Sequence, residues 1–420
     1  MRWRTSLAIL AVAAGSTGVT TAQSRPQDVV AQLADDQAIM ATIERLRVDE
    51  PRLIEEQVRL CEIPAPPFAE EARGRALHRA FEELGLGDVR TDAVGNVLGT
   101  RPGAGSGPHL VFTAHLDTVF PAETDVSVRR EGAVLHGPGI ADDCRGLAVI
   151  LGVIRALQDG NHATDGPITF VGTVGEEGLG DLRGVKHLFA EELAGQIDRF
   201  ISVDGTRLGA THVAVGSKRY RVTYKGPGGH SFGAFGLVSP VHALGRAIQR
   251  IARFEVPENP KTTFNVGRVG GGTSINSIAF ESWMEVDMRS ADTASLARLD
   301  AMFHEAVEAA LRAENNRGTG DAELTVDVDL VGDRPAGNTP EESPIVIRAA
   351  AVADVLGIDF SLGEGSTDSN IAMSIGIPAL TIGGGGIGRD AHSLRESFDT
   401  TESWLGTQRA FLLALALSAE

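Results

Sequence analysis

The sequence predicts an α/β chain: a mostly parallel sheet flanked by helices, interrupted by an inserted ferredoxin-like α+β unit. Three observations lead there. From His109 onward, short unbroken apolar runs alternate with helical patterns, the rhythm of strands buried on both faces. Near Gly216 the order becomes β-α-β-β-α-β, that of a ferredoxin-like sandwich. The chain has 420 residues, more than one hydrophobic core ordinarily organises.

At the N-terminus, "MRWR" is a basic start, and residues 6–15 form an apolar run too short to span a bilayer. Small residues then lead to a cleavage site near Ala22. Residues 1–22 read as a signal peptide and the protein as exported, periplasmic or secreted; a short anchor or a buried helix would share the apolar run. A polar linker is expected around residues 23–28, then a helix over roughly 34–60. "EIPAPPFAEEARGRALHRAFEELGLGDVRTD" reads as a Pro-rich turn, a helix stopped by Gly, and a strand. "HLVFTAH", "PITFVGTVG" and "RFISVDG" are buried strands. "CRGLAVILGVIRALQDG" and "GVKHLFAEELAGQ" are the helices between them.

The alternating "KRYRVTYKG" opens the inserted unit, expected over residues 216–331. It continues through an amphipathic helix ("SPVHALGRAIQRIARF"), two strands ("TTFNVGRVGGG" and "NSIAFESWMEVDMRS"), a second helix ("ASLARLDAMFHEAVEAALRA") and a last strand ("AELTVDVDLV"). Residues 23–215 and 332–420 then form one catalytic domain. The second part holds a helix around 344–356, a loop "GEGSTDSN", a buried strand "PALTIGG" and a C-terminal helix.

Composition removes several functions. The net charge of −18 argues against nucleic acid and anionic membrane surfaces as partners. No segment after the leader is apolar for long enough to cross a membrane. Only two cysteines occur, Cys61 and Cys144. That is neither a disulfide framework nor a cysteine-rich zinc site, so any metal must be held by His and carboxylates.

In open α/β sheets, ligands bind beyond the carboxyl ends of the strands. The residues just past each apolar strand are therefore informative. His115 and Asp117 come after "LVFTA", Glu176 and Glu177 after "ITFVGTV", Asp204 after "FISV", and His392 after "PALTIGGGG". Asp142 and Asp143 precede a helix in "GPGIADDCRG". Each has a plain reading alone: a surface "HLD" turn, a pair of helix N-caps, a solvated loop around the Glu pair. Together they place His or an acid at every strand end facing one site.

Two divalent ions held close together need a shared anion, and one Asp of the pair can bridge them. His115, Asp142, Glu177, Asp204 and His392 would form a mixed nitrogen–oxygen shell suited to zinc, with cobalt or manganese also matching. Asp117, two residues from His115, would accept its second ring N–H. One Glu of the pair then remains to act as a general base on water.

"HLDTVFP", "GPGIADD", "GEEG", "SVDG" and "AHS", in this order and spacing, resemble the dizinc exopeptidase superfamily of aminoacylases, glutamate carboxypeptidases, acetylornithine deacetylases and peptidase T-like tripeptidases. The resemblance covers nearly the whole mature chain. It implies two zinc ions on His115, Asp142 as bridge, Glu177, Asp204 and His392. It also implies Asp117 as the orienter of His115 and Glu176 as the general base. The inserted unit resembles the family's lid and dimerisation domain, so a homodimer is expected. "KGPGGHSFGA" resembles its histidine turn, placing His230 in a partner subunit's site as an oxyanion donor. "GGTSINSIA" and "VDMRS" resemble its substrate-holding segments, mapping to Asn276 and Arg289, the latter suited to a substrate carboxylate.

Two features stand apart. Many members read Asp-x-Lys-Gly where this chain has "DDCRG", with Cys144 and Arg145. A cysteine there suggests sensitivity to thiol reagents. Asp204, where other branches carry Glu, tilts the expectation toward a di-/tripeptidase or aminopeptidase acting on short peptides. A carboxypeptidase or an N-acyl amino acid deacylase is the alternative.

Overall fold

The computed structural model describes residues 25–420; the signal-peptide expectation lies outside them. Among the described residues no helix is long and apolar enough to cross a membrane.

Four strands form the centre of the main sheet. Ile168–Thr173, Leu110–His115, Arg199–Val203 and Ala379–Ile382 lie side by side in that order, all parallel. Antiparallel strands extend both edges: Gly87–Thr91 and Val97–Arg101 on one side, Ala210–Ala214 and Gly337–Asn338 on the other. The central strands are apolar throughout because both faces are covered. Leu110, Phe112 and Ala114 pack into the larger helical layer with the helices Cys144–Asp159 and Trp404–Ser418. Val111, between them in sequence, points the other way, into a cluster with Val185, Leu188 and Met373. A strand's period of two produces this alternation.

The inserted unit is a four-stranded antiparallel sheet with two helices on one face. Its strands lie in the order Thr262–Gly271, Glu281–Ser290, Gly216–Lys225, Thr325–Arg334. Every second residue of Glu281–Ser290 is buried. Met284, Val286 and Met288 meet Ala243, Ala247, Phe303 and Val307 of the helices Pro240–Ile251 and Thr293–Arg317 in a core of their own.

Several local expectations change. The chain is already helical at Pro26, where a linker was expected, and Pro suits the first helical turn. The single helix expected over 34–60 is two, Pro26–Asp35 and Gln37–Cys61. Asp36 divides them, and its carboxylate accepts the N–H groups of Ala38 and Ile39 at 2.8 and 3.2 Å. The expected loop "GEGSTDSN" instead begins within the strand Leu362–Gly365 and runs into the helix Ser369–Ser374. A small sheet of Arg129–Glu131, Val134–His136, Ile387–Arg389 and Ser397–Asp399 was not anticipated. Its three-residue strands are too short to carry a readable period.

Candidate metal centre

Three adjacent parallel strands end side by side, and each delivers a ligand type. His115 is the last residue of its strand, and Asp204 directly follows Val203. Glu176 and Glu177 sit on the turn after Thr173, between Gly175 and Gly178, whose φ angles are 65° and 51°. Residues with a Cβ rarely adopt that region, so the two glycines shape the tight loop that presents both acids.

Asp142 comes from the approach to the helix Cys144–Asp159. Its loop is held by Glu396, whose carboxylate accepts the N–H groups of Gly139, Ala141 and Asp142 at 2.9, 2.9 and 3.1 Å. Asp143 turns inward, capping the helix through the Gly146 N–H and accepting the His115 N–H. His392 arrives from the loop after Ala379–Ile382, with a φ of 63°, a strained value for a side chain of its size.

These residues meet. His115 Nε2 is 3.0 Å from one oxygen of Asp142, and His392 Nε2 is 3.1 Å from the other. His392 Nε2 also lies 2.9 Å from Glu177 Oε1. Two donor triads result, His115–Asp142–Asp204 and Asp142–Glu177–His392, each with its ligand atoms within 4.8 Å of one another. Asp142 belongs to both and offers one oxygen to each side. A third grouping, His115–Glu176–Glu177, overlaps them, but Glu176 is otherwise engaged. Its Oε1 accepts from Arg334 Nη1 at 3.1 Å, and its backbone carbonyl accepts from Arg334 Nη2.

Asp117 differs in detail from its expected place. The hydrogen bond from His115 Nδ1 goes to the Asp117 backbone carbonyl at 3.0 Å, while the carboxylate stands 3.7 Å away. The carboxylate is claimed by the N–H groups of Glu176 and Glu177, at 3.0 and 2.8 Å. Two well-aligned amides outcompete one ring nitrogen for the same oxygens. Asp117 therefore orients the histidine by its main chain and the Glu pair by its side chain.

The electrostatics mark an excess of buried negative charge. Burial, opposed by Arg334, pushes the Glu176 carboxyl well above its ordinary value. Burial together with Asp142 raises Asp204 to about 7. Hydrogen bonds to Asp142 and Glu177 raise His392 to about 10. Burial resists a charge on His115, yet its acidic neighbours still hold that imidazole well above its usual range. Divalent cations would offset this charge, and imidazole with carboxylate is a donor set that fits them. The family-implied metals thus suit the residues present.

The remaining predicted residues lie elsewhere. His230 and Asn276 lie on two neighbouring segments of the inserted unit, joined by the antiparallel pair Gly229–His230 and Ser277–Ile278 and by the Ser231 N–H, which donates to the Asn276 carbonyl at 3.0 Å. His230 is exposed, and its Nδ1 accepts the N–H groups of Phe232 and Gly233, both at 3.2 Å. The neutral ring then carries its proton on Nε2. Arg289 lies on the strand Glu281–Ser290, half exposed and paired with Asp287 at 2.8 Å. Among the described residues no side-chain hydrogen bond or ion pair joins His230, Asn276 or Arg289 to the donor triads.

Four groups at the centre were not singled out by the sequence: Arg334, Glu396, Asp368 and the inward role of Asp143. Asp368 is buried, accepts the Thr173 hydroxyl at 2.5 Å, and is raised by burial to about 6. Its place in "GSTD", beside a sheet edge, was the available signal. Arg145 explains one departure from the family pattern. It is fully buried, 2.9 Å from Glu50, and donates to the carbonyls of Gly384 and Ser403 at 2.7 and 2.6 Å. It ties the helix start to the loop leading to His392. Cys144 is also fully buried, against Cys61 and Phe398, a placement that works against the sensitivity to thiol reagents expected from its position.

Beside Asp142 and Asp204 opens a cavity of about 550 Å³, lined among others by Thr206, Arg207, Glu364 and Arg389.

The chain is similar to several known proteins. Carboxypeptidase G2 of Pseudomonas sp. (strain RS-16) is 25% identical over 397 residues, covering 90% of this chain and 89% of that protein. The uncharacterized protein YqjE of Bacillus subtilis (strain 168) is 27% identical over 361 residues, covering 80% of this chain and 90% of that protein. A tripeptidase structure from Staphylococcus aureus subsp. aureus Mu50 superposes with a TM-score of 0.73 at 24% identity, covering 88% of this chain and 98% of the other. Residues 111–418 match the peptidase family M20/M25/M40, and the chain belongs to that family. It is a hydrolase of peptide or amide bonds.

Proposed function

We propose that this member of the M20/M25/M40 family is a two-metal exopeptidase of short peptides, acting with Glu176 as general base. The observation that carries this reading is the Asp142 carboxylate, one oxygen toward His115 and the other toward His392, inside two donor triads. His115 and Asp204 would hold one cation, Glu177 and His392 the other, and Asp142 both. Zinc fits this donor set, with cobalt or manganese as alternatives. When bound, the cations supply Lewis acidity toward the scissile carbonyl and acidify a nearby water.

The protein's own residues do the rest. Glu176, adjacent to Glu177 yet not needed in either triad, takes the proton of the attacking water and returns it to the departing amine. His230, with its free Nε2–H, is the donor for the developing oxyanion. It stands on the inserted unit, which acts as a lid and as the dimer contact. Phe232, Phe235 and Ile275 are almost wholly exposed around it, which supports burial against a second copy. Asn276 and Arg289 would hold the substrate, Arg289 by a carboxylate. The basic, apolar leader supports export of the mature chain.

The test is a peptide-library digest of the zinc-loaded mature protein, read by mass spectrometry, with Glu176→Gln alongside. Trimming of single residues from di- and tripeptides is expected. Glu176→Gln should keep its metal and lose about 10²–10⁴-fold in kcat. Exclusive hydrolysis of N-acyl amino acids would replace the peptidase reading with a deacylase. Normal turnover by the Gln variant would remove Glu176 from its role.

A further inference from the structure

The junction between the inserted unit and the main domain is built directly on the Glu pair. Arg334 is the last residue of the strand Thr325–Arg334, and it is buried. Its guanidinium grips Glu176 twice, through the side-chain oxygen at 3.1 Å and through the backbone carbonyl. A further bond runs from Nη1 to Ser366 Oγ at 3.2 Å, on the segment leading to Asp368. Neighbouring residues of the same unit hold the continuation of the loop. Asp333 N–H donates to Asp181 at 2.9 Å, and Arg219 Nη1 donates to the Gly178 carbonyl at 3.1 Å. Arg219 lies on the strand paired with Thr325–Arg334, where Ser217 stands opposite Arg334.

We propose that Arg334 is the positioning residue of the general base, fixing Glu176 by side chain and main chain together and tying that placement to the inserted unit. This rests on Glu176 being the base. A carboxylate on a glycine-flanked turn has several rotamers, and as a base it must stay within hydrogen-bond reach of the water it activates. The planar guanidinium can occupy the side-chain oxygen and the carbonyl at once, which restricts the side-chain torsions and the turn. A lysine reaches one acceptor as a point charge and restricts less. Because the same strand end carries Asp333 and pairs with Arg219's strand, any shift of the unit moves the loop of Glu176 with it. The inserted unit is then part of the catalytic apparatus as well as its lid.

The experiment is a double-mutant cycle on the full zinc-loaded protein with an unblocked tripeptide. It uses Arg334→Met, Arg334→Lys, Glu176→Gln and the Met/Gln double variant. Metal content and hydrogen exchange of residues 176–181 are measured on each. Arg334→Met should lower kcat by roughly tenfold or more with KM within about twofold and parental metal content. Exchange of residues 176–181 should speed up. Arg334→Lys should recover part of the loss, and it serves alone if the Met variant does not fold. The double variant should be no slower than Glu176→Gln, since Arg334 acts through that residue. Parental kcat in folded Arg334→Met and Arg334→Lys, or losses that multiply in the double variant, would overturn the inference while leaving Glu176 as base. Parental turnover by Glu176→Gln would overturn both.

Discussion

His115 and His230 stand in opposite surroundings. His115 is 2% exposed, bonded on one ring nitrogen by the Asp117 carbonyl and on the other by Asp142. Asp142 in turn is anchored by Glu396, which accepts its N–H at 3.1 Å. His230 is exposed, and the hydrogen bonds to its ring come from its own turn. Around His115 the apolar residues are buried, while around His230 Phe232, Phe235 and Ile275 are bare. The first region is held together within one chain. The second carries its proton on the outward nitrogen, and its apolar rim is uncovered. If His230 acts as proposed, the catalytic constellation is divided between a sheet edge and a part that must be brought to it.

The contrast can be broken in four ways, the first with the largest expected effect and the last with the smallest effect on stability. Asp142→Asn removes the charge shared by both triads. Metal content measured by plasma mass spectrometry should fall, and turnover with it by on the order of 10³-fold or more, beyond the range for groups one step removed from the metal. Parental metal content would show that the two triads do not depend on their common member. His230→Ala should lower kcat by about 10²–10³-fold while metal content and Tm stay parental. A fall in Tm would mean that its segment is a structural part of the fold after all.

Glu396→Gln weakens the support of the Asp142 loop rather than the loop's ligand. Metal affinity by chelator competition should drop about 10–100-fold, with kcat restored at saturating metal. Failure to restore it would place Glu396 in the chemistry itself. The smallest effect on stability is expected from replacing Phe232 and Phe235 together by Ser. Exposed side chains away from a core change stability by only about 0.5 kcal/mol. Mass by light scattering should nevertheless shift from dimer to monomer, and kcat should fall toward that of His230→Ala. A monomer with parental kcat would separate assembly from catalysis.

Much of the first region was legible before the structure. The apolar strands, the helices Cys144–Asp159 and Pro344–Leu356, and the acids and histidines at the strand ends arise from local patterns. Period and composition act over a few residues, and a ligand type at a strand end is a local fact. The short strands of the small sheet were missed because three residues carry no period. The division of labour in Asp117 was also out of reach, since it depends on which donors arrive from another strand's end.

The chemistry available at each strand end and the two-unit order of the chain were thus determined by the sequence itself. The side chains that hold the site in place were decided only by the tertiary structure. Glu396 reaches the Asp142 loop across 254 residues, and Arg334 reaches Glu176 across 158. Neither has a neighbour in sequence that announces it. A hydrogen bond requires its partners within about 3 Å, and that proximity arises only when the sheet has assembled and the inserted unit has returned the chain to its edge.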